Sequence, residues 1–126
     1  MRRLAAPLAL VALVAGCGGD DEDEPGRTVT VGGDRAVEVT AHEYSFDPER
    51  IVVDGGGSLS IELRNDGDLA HNLRLLRDGR EVDGTPTITS GRTTGLMLPL
   101  KRGTYEMLCT VGDHAELGMT GELEVK

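Results

Sequence analysis

The chain has no tryptophan and only three aromatic residues, Tyr44, Phe46 and Tyr105, among its 126 positions. Any core must therefore rest mainly on valine, leucine and isoleucine. Cysteine is scarce, with Cys17 and Cys109 alone, so a disulfide-stapled scaffold is excluded. Positive charge is outnumbered: 13 basic against 22 acidic residues give a net charge of −9, and no basic stripe exists for nucleic acid. The length suits one domain rather than two. No stretch shows a 3.6-residue apolar period, and no internal repeat is present. What the chain has in quantity is glycine, 18 residues, which favours turns over long helices.

The first residues read as an export signal. Arg2 and Arg3 precede an apolar run from Leu4 to Ala15, too short to remain as a membrane-spanning helix. The run ends in Val-Ala-Gly-Cys, which resembles the lipobox of bacterial lipoproteins. The resemblance implies cleavage after residue 16 and lipidation of Cys17. Residues 17–27 then form the lipidated N-terminus and an acidic linker, with five consecutive acids from Asp20 to Glu24 and nothing apolar to bury. About ten such residues reach about 18 Å. Loss of residues 1–16 moves the net charge from −9 to −11 by removing two arginines. It also leaves Cys109 as the one unmodified thiol of an exported domain, and metal binding is one reason to keep a lone thiol outside the cytoplasm.

From residue 28 to 126 the apolar pattern has period two. Val37, Val39 and Ala41 alternate with polar neighbours, as do Leu59, Ile61 and Leu63; Leu96, Leu98 and Leu100; Tyr105, Met107 and Cys109; and Leu123 and Val125. Turn signals separate these runs at 54–58, 65–68, 77–79, 83–86 and 101–103. The expected fold is all-β: a two-sheet Greek-key sandwich of seven to eight strands.

The segment CTVGDHAELGM places Cys109, His114 and Met119 at successive intervals of five. A thiolate, an imidazole and a thioether form a soft-metal ligand set, and His71, where a turn passes into a strand, is the candidate for a further ligand. Two imidazoles and a thiolate in one plane, with a long axial thioether, describe a blue-copper electron-transfer site. Cu(II) with one thiolate has a local charge of +1 and Cu(I) has none, so neither state buries much uncompensated charge. Met97 and Met107 read as strand packing and His42 as an exposed histidine.

The stretch YEMLCTVGDHAELGMTGELEV resembles the C-terminal signature of the cupredoxins, the plastocyanin/azurin family. The Cys-x4-His spacing resembles azurin and the His-x4-Met spacing plastocyanin. AHNL resembles the family's upstream His-Asn, and FDPERIVVDGGGSLSIELRN its early strands, so the likeness runs from residue 37 to 125. It implies one type 1 copper ion held by His71, Cys109 and His114 with Met119 on the axis. It also implies that Asn72 bonds near the cysteine sulfur and ties two loops together. Two positions depart from the pattern: Met107 stands where an aromatic is usual, and Val-Gly-Asp-His replaces Pro-Gly-His, setting Asp113 beside a ligand.

The expected function is that of a lipid-anchored, extracytoplasmic, monomeric carrier of single electrons between redox partner proteins. It would not be an enzyme, because four ligands leave no open position for substrate. The edge of His114 would be the electron port, ringed by Ala70, Ala115 and Leu117. The competing reading is a copper-binding protein for delivery, storage or protection. A zinc site using Asp113, and a Cys109–His114 nucleophile and base, are disfavoured by the methionine and by the lack of an orienting third group.

Overall fold

The computed structural model describes residues 26–32, 34–99 and 101–126. The signal segment, Cys17 and the acidic run lie outside the described residues, as does Leu100.

Ten strands form two facing sheets: β1 (Thr28–Gly32), β2 (Ala36–His42), β3 (Ser45–Asp47), β4 (Arg50–Asp54), β5 (Ser58–Asn65), β6 (Arg74–Arg77), β7 (Arg80–Gly84), β8 (Thr93–Pro99), β9 (Gly103–Leu108) and β10 (Thr120–Val125). The larger sheet has the order β1-β4-β10-β9-β6-β7 and the smaller β3-β2-β5-β8. Three pairings are parallel (β1 with β4, β4 with β10, β2 with β5) and the rest antiparallel. No α-helix occurs among the described residues, and none there is long and apolar enough to cross a membrane.

The period-two runs explain the core. Val37, Val39 and Ala41 of β2, Leu59, Ile61 and Leu63 of β5, Tyr105 and Met107 of β9, and Leu123 and Val125 of β10 are all buried between the sheets. Two aromatic rings, those of Phe46 and Tyr105, are buried in this core, and most of the remainder is aliphatic. The sandwich is therefore as expected, with more and shorter strands than the seven or eight counted from alternation. β4 escapes that count because Ile51, Val52 and Val53 are all buried. A strand buried on both faces reads as a continuous apolar run. β6 and β7 escape it because they carry arginines and a glutamate, β7 lying at the sheet edge. They are joined by Asp78-Gly79, both at positive φ, which suits a tight hairpin. One packing expectation is corrected: Met97 is 66% exposed. In β8 it points away from the core, and its neighbour Leu98 points in.

The strand directions bring four segments to one end of the sandwich: the exits of β2, β5 and β9, and the approach to β6. Parallel pairing of β2 with β5 sets Ala41 opposite Asn65, so the turn after β2 lies beside the loop after β5. The antiparallel register of β6 on β9, Arg74 opposite Leu108, carries residues 71–73 alongside 109–111.

Candidate metal centre

Cys109 leaves β9 buried, with no exposed surface. The next ten residues form nested turns and return to start β10. Within them the His114 amide donates to the Val111 carbonyl (3.1 Å), the Met119 amide to the His114 carbonyl (3.0 Å) and the Cys109 amide to the Met119 carbonyl (3.2 Å). Three residues spaced by five in sequence are thereby tied to one another through backbone. Gly118, at φ +110, supplies the left-handed turn that brings Met119 back beneath Cys109.

His71 arrives from the other side. It makes an isolated antiparallel bridge with Ile88, its amide to the Ile88 carbonyl at 3.0 Å and the reverse bond at 2.9 Å. Asn65 steadies the loop before it. Its side chain is fully buried, donates to the carbonyls of Leu69 (2.8 Å) and Ile88 (3.1 Å), and accepts from the Gly67 amide (2.9 Å).

The result is a cluster of three donors. The Cys109 sulfur lies 3.6 Å from Nδ1 of His114 and 3.9 Å from Nδ1 of His71. The three donor atoms all fall within 4.8 Å of one another, and all three residues are buried. Metal bonds of about 2.0 Å to nitrogen and about 2.3 Å to thiolate, spread at about 120°, would hold nitrogen and sulfur about 3.8 Å apart. The donors are thus spaced and chemically suited for one first-row metal ion. Met119 is fully buried and its backbone bonds to that of Cys109 and His114. Asp113 is exposed and is not part of the cluster, which removes the carboxylate that a zinc reading would use.

Asn72 ties two segments together. Its side-chain amide donates to Thr110 Oγ1 (2.8 Å) and Thr87 Oγ1 (3.1 Å) and accepts from the Thr110 amide (2.9 Å). These contacts lie one residue beyond the thiol.

Two residues at the site, Tyr44 and Glu43, were not foreseen. The Tyr44 ring stands edge-on to His114 with centroids 5.0 Å apart, and the His71 and His114 rings lie 4.9 Å apart. His114 is only 6% exposed. Glu43, in the turn after β2, sets its carboxylate behind His71: Oε1 is 2.8 Å from Nε2 and also accepts from the Leu69 amide at 2.8 Å, while Oε2 accepts from the Asp68 amide at 3.1 Å. The Leu69 bond most of all holds its pKa at about 2, well below 4.5, against the opposing effect of desolvation and with help from His71 and Asp68. His42, next to it, is exposed as expected.

Fold and cluster together define a two-sheet β-sandwich with a buried cysteine and two histidines gathered at one end. A family model for the cupredoxin-like domain matches residues 8–123, and the chain belongs to that family. Several solved structures share the fold. An auracyanin from the photosynthetic bacterium Roseiflexus castenholzii is 18% identical with a TM-score of 0.69, covering 75% of this chain and 98% of its own. Auracyanin A from Chloroflexus aurantiacus is 21% identical with a TM-score of 0.63, covering 79% and 100%. Rusticyanin from Thiobacillus ferrooxidans is 22% identical with a TM-score of 0.65, covering 79% and 82%. A search of curated proteins gave no match.

Proposed function

We propose that the chain is an extracytoplasmic type 1 copper protein that carries single electrons between redox partners, held to a membrane by lipid on Cys17. The observation that carries this reading is the convergence of the His71, Cys109 and His114 donor atoms in a buried pocket of one family fold. Auracyanin A is described as a "blue" copper protein, and rusticyanin as a copper protein, which agrees with it.

On this reading His71, Cys109 and His114, together with the Met119 thioether, would hold the copper ion. The bound ion supplies one-electron chemistry by alternating between Cu(II) and Cu(I). The protein's part is to hold four donors that suit both states so that little rearranges. The backbone bonds through Met119 and His114, and the Asn72 bridge, provide that rigidity. Four ligands leave no position for substrate, so the protein is not an enzyme.

Burial of the donors favours electron carriage over copper delivery. Three of the four proposed ligands have no exposed surface and His114 only a sliver, so a partner protein meets the edge of one imidazole and not an exchangeable ion. That edge lies in the same loop as Leu117, 52% exposed, with Leu69, 45% exposed, in the loop before His71. Ala70 and Ala115 are half-buried. Such an apolar rim suits brief docking over less than about 1,200 Å².

The test is to compare electron exchange with copper exchange. A carrier cycles reversibly in voltammetry and keeps its copper for hours against a Cu(I) chelator. Rapid loss of copper to the chelator with sluggish voltammetry would transfer the reading to copper delivery.

A further inference from the structure

Glu43 reaches His71 from 28 positions earlier in the chain, and no metal-ligand pattern includes it. Its carboxylate is pinned by three donors: the Leu69 and Asp68 amides and the His71 ring. Two of these belong to the loop that delivers His71, so carboxylate, loop and ring form one closed unit. Gly67 makes room for it, because a Cβ there would overlap the Glu43 carboxylate.

We propose that Glu43 is a positioning residue of the metal centre: it fixes the His71 ring with Nδ1 bare and facing Cys109 and His114, and sets a negative charge behind that ligand.

The chemistry is as follows. An ionised carboxylate only accepts hydrogen bonds. At 2.8 Å from Glu43 Oε1, Nε2 must therefore carry the proton. A neutral imidazole has one N–H, so Nδ1 is left with a lone pair, the form a metal ligand needs. His71 has no exposed surface, so solvent cannot supply an alternative partner for Nε2. With a metal bound, the carboxylate raises the basicity of the imidazole and favours the more highly charged ion. That last consequence rests on the copper reading above; the tautomer does not.

A glutamine at 43 would not substitute. With its oxygen toward His71 and Leu69, its NH2 group opposes the Asp68 N–H. Flipped, the NH2 group opposes the Leu69 N–H and offers Nε2 a donor.

The experiment uses Glu43→Gln and Glu43→Ala, with Glu38→Gln, exposed on β2, as a control for bulk charge. In the metal-free protein at alkaline pH, nitrogen NMR of His71 should show the proton on Nε2 in the parent and in Glu38→Gln. In both Glu43 variants the proton should shift, wholly or partly, to Nδ1. Cu(II) affinity should fall about 10–100-fold in the Glu43 variants, and the midpoint potential should rise. Retention of the Nε2 proton and of parental affinity in folded Glu43→Gln would overturn the proposal, even if thermal stability dropped. A shifted tautomer in a protein that forms no blue site would uphold the positioning role and refute the copper reading instead. If Glu43→Ala fails to fold, Glu43→Gln alone decides.

Discussion

Asn72 and Thr110, 38 residues apart, exchange two hydrogen bonds: the Asn72 carbonyl oxygen accepts from the Thr110 amide at 2.9 Å, and its NH2 group donates to the Thr110 hydroxyl at 2.8 Å. The residues beside them in sequence are His71 and Cys109, two of the three clustered donors. The pair thus ties together the two segments that carry the site. Thr110 itself is exposed, so Asn72→Ala should cost the two lost bonds, about 1–3 kcal/mol at about 0.5–1.5 kcal/mol each. Urea unfolding of the metal-free variant checks this, with an unchanged midpoint as the contrary result.

Met119→Leu separates packing from ligation. Both side chains fill a fully buried site at similar volume, so stability should change by less than about 1.5 kcal/mol. On the proposed function the copper protein should stay blue while its midpoint potential rises, because a donor to the oxidised ion has gone. Voltammetry of the variant gives the answer. An unchanged potential would place the thioether outside the copper sphere.

Glu43 also predicts a pH dependence in the metal-free protein. Its pKa is about 2 in the fold against 4.5 in an unconstrained chain, so the ionised form is preferred by the native state. The stability this contributes is full above about pH 4.5 and is lost as pH falls towards 2. The difference in unfolding free energy between parent and Glu43→Gln should therefore be flat near neutrality and shrink across that acid window. A difference that persists unchanged to pH 2 would show that the carboxylate charge is not its source.

The N-terminal reading has its own check. Cys17→Ser should move the protein from the membrane fraction to the soluble fraction of the cells that export it. An unaltered distribution would refute lipid anchoring and leave the copper proposal untouched.

Much of the fold and of the cluster was legible because the relevant signals are local. Period-two burial marks a half-buried strand wherever one face meets the core, and β2, β5, β9 and β10 announced themselves that way. β4 did not, since three adjacent buried residues hide the alternation. The closeness of Cys109 and His114 was legible because one short loop joins them. His71 was legible because Asn72 follows it in a strand-entering turn. Glu43 and Tyr44 were not. Their contacts with His71 and His114 exist only because β2 and β5 run parallel in a register that sets Ala41 beside Asn65. Nothing in the sequence near residue 43 encodes that pairing, and an acid in a turn ordinarily faces water. Asn65 was read only as a turn residue, since its role in steadying the His71 loop depends on Ile88, 23 positions away.

The most direct test is to titrate the purified metal-free protein and its Cys109→Ser variant with Cu(II), followed by visible absorption and electron spin resonance. One equivalent should give the parent an intense thiolate-to-copper band with narrow copper hyperfine splitting, and should give the folded variant neither. A colourless parent, or one with the spectrum of ordinary tetragonal copper, would contradict the claim that His71, Cys109, His114 and Met119 build a blue copper site.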